Sequence, residues 1–103
     1  MPDTWTARAS VATDTAERYA KQLAFHLARK AQVCEGLEGR RVVLDGGTCL
    51  LVTSENALEL QAEAASPKSL EQVQHVVGSH LERFGQRNEM VVVWTAPTPL
   101  PET

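Results

Sequence analysis

Residues 57–64 read Ala-Leu-Glu-Leu-Gln-Ala-Glu-Ala, and this run constrains the fold more than any other. Leu58, Leu60, Ala62 and Ala64 alternate with Glu59, Gln61 and Glu63. Period 2 puts the apolar set on one side of a strand and the polar set on the other. Such a strand belongs to an antiparallel sheet with one dry face and one wet face. The dry face needs a cover.

The neighbouring residues extend the sheet. "RRVVLDGGTCLLVTS" places Val42 and Leu44 on one face, then Asp45-Gly46-Gly47, then a second apolar run. That is a hairpin, with the glycine pair expected at positive φ. Ser54-Glu55-Asn56 supplies the next turn. "WTARASVA" (Trp5 to Ala12) alternates in the same way, "AQVCEG" offers a short strand around Val33, and "EMVVVWT" reads as a well-buried strand.

Two stretches have helical periodicity and can supply the cover. In "TDTAERYAKQLAFHLARKA", Ala16, Tyr19, Ala20, Leu23, Leu27 and the stem of Lys30 share a face. Asp14 and Glu17 fit a capping box at the start of a helix of about 16 residues. In "SPKSLEQVQHVVGSHLERFG", Leu70, Val73, Val77, Leu81 and Phe84 form the stripe. Ser66 suits the cap, Pro67 the first position and Gly85 the exit.

The expected architecture is therefore α+β, in the order β-α-β-β-β-β-α-β. A mostly antiparallel sheet carries two helices on one face. A ferredoxin-like β-α-β-β-α-β with an extra hairpin in the middle is the alternative. Residues 1–95 form one domain, and the Pro-rich residues 96–103 form an extended or disordered tail.

The chain has 103 residues and a net charge of -3. An acidic balance whose densest basic stretch is Arg40-Arg41 speaks against nucleic acid or an anionic membrane as partner. No apolar run approaches the roughly 20 residues of a membrane helix, and the N-terminus has no hydrophobic signal core. The expected location is the cytoplasm, where Cys34 and Cys49 remain free thiols.

His-Leu-x-Arg occurs twice, at His26–Arg29 and His80–Arg83. An offset of 54 aligns the helices throughout, pairing Ala16 with Leu70, Tyr19 with Val73, Leu23 with Val77 and His26 with His80. The chain thus reads as two related β-α-β halves around a hairpin. Both histidines fall on the flank of their stripe, and both arginines point toward water. Each histidine is either a satisfied packing residue or half of a shared inter-helix cleft, which would serve as half of a metal site or as a cationic, hydrogen-bonding pocket for an anion. If a metal binds, His26, His80 and Cys49 are its ligands, with Cys34, Glu17 or Glu82 as further donors. No cofactor is strongly implied.

Trp94 either closes the core or lines a ligand pocket. Phe25 lies opposite the stripe of its helix and can anchor a homodimer. His75 is on the polar side of its helix. No serine lies in a Gly-x-Ser-x-Gly elbow, and "LDGGT" lacks the Gly-Lys-Ser/Thr of a phosphate loop. The one enzymatic reading is a Cys49–His couple. The chain therefore reads more readily as a binding or interaction domain than as an enzyme.

"VATDTAERYAKQLAFH" with His26, then Lys30, "GGTCLL", "VQHVVGSHLERF" and "VVVW" together resemble the bacterial family catalogued as domain of unknown function 2218. The likeness runs from about Ala9 to Trp94, with a departure at Ala28-Arg29. The family has no established activity. The resemblance implies an accessory role in iron handling, through association with flavin-dependent siderophore-interacting proteins. It would make His26 and His80 ligands to iron or an iron-loaded chelate, with Lys30 and Arg83 supplying positive charge.

Overall fold

The computed structural model describes residues 4–29, 31–36, 39–85 and 91–99. The elements are β1 (Trp5–Ala12), α1 (Ala16–Leu27), β2 (Gln32–Glu35), β3 (Arg40–Leu44), β4 (Gly47–Thr53), β5 (Ala57–Ala64), α2 (Pro67–Phe84) and β6 (Thr98–Pro99). The strands form one sheet in the order β2-β3-β4-β5-β1-β6, and every pairing is antiparallel. Without the β3–β4 hairpin the order is β2-β5-β1-β6, the split β-α-β arrangement of a ferredoxin-like sheet. The chain is α+β, built as two β-α-β halves around a hairpin.

Alternation produces the two faces as expected. Leu58, Leu60, Ala62 and Ala64 of β5 are buried with Ala7, Ala9 and Val11 of β1, Val42 of β3, and Cys49 and Leu51 of β4. The stripes of both helices close over them: Ala16, Tyr19, Ala20, Leu23, Ala24 and Leu27 from α1, and Leu70, Val73, Val77 and Leu81 from α2.

The hairpin turn is Asp45-Gly46, between the paired Leu44 and Gly47. Only Gly46 of the glycine pair has positive φ, at 97°. Gly47 is required by crowding instead. A Cβ there would collide with the Glu63 carbonyl oxygen and stand 2.8 Å from Val73 Cγ2. The bare backbone lets α2 seat on the hairpin.

Two further expectations need correction. The capping box of α1 does not form. Thr15 is the N-cap and makes no side-chain cap bond, so Glu17 is the second helical residue, one short of the position a box needs. The helix runs 12 residues. Glu17 reaches outward instead, accepting from Arg40 Nη2 at 2.8 Å and from Thr53 Oγ1 at 3.2 Å.

The second correction concerns the last strand. Glu89 and Met90 lie outside the described residues. Val91 and Val93 are 65% and 73% exposed, while Val92 and Trp94 are half-buried. The segment meets β1 at one bridge, Ala9 to Trp94, and at Thr95, whose amide donates to the Arg8 carbonyl at 2.8 Å and whose Oγ1 accepts the Arg8 amide at 3.0 Å. It runs along the β1 edge with one side toward α2 and the other open, so it is half-covered. The last short strand is β6, where Trp5 pairs with Pro99 and Thr6 with Thr98.

Candidate functional site

The β1–β5 pair runs the full length of both strands, from Trp5 opposite Ala64 to Ala12 opposite Ala57. Each strand feeds a helix. Glu17 ties the start of α1 to the Thr53 end of β4, whereas Gly46 meets Ser69 at the start of α2 near the Gly47 end. The helices therefore begin at opposite ends of the sheet. Equivalent residues of two oppositely directed helices meet only where a local twofold axis passes between them. His26 and His80 occupy that place.

Their ring centres are 5.0 Å apart, with the planes tilted by 52°. Phe84 completes a cluster of three rings, edge-on to His26 at 5.4 Å and 6.5 Å from His80. His26 is exposed in the last turn of α1, and His80 is half-buried. His80 Nδ1 lies 2.7 Å from the Val76 carbonyl oxygen. A carbonyl only accepts, so Nδ1 bears the hydrogen of this bond, and in the neutral ring Nε2 is then the nitrogen with the lone pair. A backbone carbonyl in this role orients an imidazole for metal binding and fixes its tautomer.

Phe84 and Val76 were not singled out by sequence as part of a site. The spacing held a signal, since both lie four residues from His80 and share its side of α2.

The other expected site residues do not all join this pair. Arg83 is exposed in the last turn of α2, and Lys30 lies outside the described residues. Trp94 is elsewhere. Its indole packs over Gly78, about 160° around the helix from His80. There it borders a shallow groove of about 390 Å³ with Gln74, Ser79, Glu82 and Val92.

Cys49 is wholly buried in β4, and burial pushes its thiol up to about 12. At neutral pH it is a small apolar side chain, which removes it as the nucleophile of a Cys49–His couple and as a ready thiolate ligand. The carboxylates are engaged as well. Glu17 is held by Arg40 and Thr53, and Glu82 accepts the Val92 amide at 2.9 Å. Among the described residues no group of three or more His, Cys, Asp or Glu side chains is placed to hold a metal. What stands is a pair of imidazoles. His75 is exposed, and both Cys34 and Cys49 are free thiols.

Among the described residues no helix is long and apolar enough to cross a membrane. No curated protein matches the chain. The fold is similar to that of PA4090 from Pseudomonas aeruginosa, solved by NMR, with a TM-score of 0.73 and 23% identity. That likeness covers 88% of this chain and 95% of the other. Residues 8–95 match the family model described as an uncharacterized protein conserved in bacteria, DUF2218, and the chain belongs to that family.

Proposed function

We propose that this protein is a non-catalytic binding module that takes a first-row transition-metal ion, or a complex of one, between His26 and His80. The carrying observation is the 5.0 Å separation of the two rings. Two imidazoles sharing one metal at about 2.1 Å per nitrogen and a roughly tetrahedral angle hold their ring centres about 5 Å apart. The bond from His80 Nδ1 to the Val76 carbonyl leaves Nε2 free to be the ligand. His26 sits in the last turn of α1, where the helix dipole favours positive charge.

Imidazole suits zinc, copper, nickel and iron alike. Iron, free or chelated, is the cargo we favour, on the link to siderophore-interacting proteins that the resemblance implies. Arg83 would then stand beside an anionic chelate.

Calorimetric titration with Ni²⁺ and Zn²⁺ tests the reading. Loss of a second-shell partner already costs roughly 10–100-fold in affinity, so His26→Ala and His80→Ala should each lose at least that much. His75→Ala, on the solvent side of α2, should bind as the parent does. A His26→Ala/His80→Ala double variant that binds like the parent overturns the proposal.

A further inference from the structure

We infer that the metal's remaining positions are filled by His26 and His80 of a second copy of this chain, giving a metal-bridged twofold dimer. The inference rests on the two-histidine reading above and names what completes it.

Protein zinc sites use four ligands when structural and three plus water when catalytic. One chain brings two imidazoles here, and no third donor joins them among the described residues. A twofold interface uses the same patch on both subunits. Two copies facing each other across the metal would therefore supply four nitrogens.

The surroundings suit this occupant. His26 is exposed, so its ring is accessible to a facing molecule. Phe25 is 77% exposed on the side of α1 turned away from the core stripe. A large aromatic left on the outer helical layer is the kind of residue that anchors an interface. Two chains of charge -3 repel, and a divalent cation at the contact lowers that repulsion.

The test is light scattering on the full chain during titration with Zn²⁺. The expected result is a doubled mass, a plateau at about half an equivalent of metal per chain, and reversal by EDTA. His26→Ala and His80→Ala should stay single chains with metal present. Phe25→Asp should weaken the dimer while the chain still takes up metal. Uptake of a full equivalent at the mass of one chain overturns the dimer and leaves the two-histidine site standing. Failure to bind any metal overturns both.

Discussion

The two helices carry the same stripe and the same histidine, yet they are anchored at their starts by different means. The start of α2 is local. Ser66 Oγ accepts the Ser69 amide at 3.1 Å, and Pro67 takes the first helical position. The start of α1 has a local contact before the N-cap, Thr13 Oγ1 accepting the Thr15 amide at 3.1 Å, but its first turn is held from a distance. Glu17 is bound by Arg40 and Thr53, 23 and 36 residues further along the chain. Arg40 also donates from Nε to Glu35 at 3.1 Å, so one guanidinium joins α1, β2 and β3. That hydrogen bond from Arg40 holds the Glu17 carboxyl below its usual range, and Glu17 raises Arg40 in turn. One helix start is capped within its own first turn, whereas the other is tied to side chains on β3 and β4.

The comparison breaks most readily in the core. Leu23 and Leu81 are both fully buried. Leu23→Ala and Leu81→Ala should each cost about 2–5 kcal/mol in chemical denaturation. A loss below about 1 kcal/mol in either would end the equivalence of the two stripes.

The caps come next in size. Ser66→Ala should cost about 1 kcal/mol. Asp14→Ala should fall within about 0.5 kcal/mol of the parent, because Asp14 caps nothing. Equal losses at the two sites would restore the capping box that the structure lacks.

The smallest effect is at Glu17, which is more than half exposed. Glu17→Gln should cost about 0.2–1 kcal/mol at neutral pH and less in high salt. The sign follows from a depressed folded pKa. The contribution is full above the unfolded value of about 4.3 and disappears as pH falls through the lower folded value. Parent and variant should therefore converge in acid. A gap that persists there would mean Glu17 acts through packing rather than charge.

Period 2 and period 3.6 made most of the fold legible. The bounds of β1, the hairpin, the Ser54-Glu55-Asn56 turn and the cap of α2 each depend on neighbouring residues. What failed was not local. The capping box failed because Arg40 and Thr53, on other elements, draw Glu17 away. The "VVVW" run looked buried because its residues are apolar, but burial depends on what stands opposite. Among the described residues nothing covers Val91 and Val93, which are left exposed. Cys49 was a candidate ligand by residue type until its place in the core raised its thiol.

The sequence alone determined which residues leave water and at what angular position each histidine sits on its helix, because hydrophobic periodicity is a property of consecutive residues. It could not determine whether two residues 54 positions apart would meet. That depends on the direction in which each helix crosses the sheet and on where the axis between them falls, which antiparallel pairing of β1 with β5 sets. Only the tertiary structure brought the His26 and His80 rings to 5.0 Å and moved Trp94 to the far side of α2.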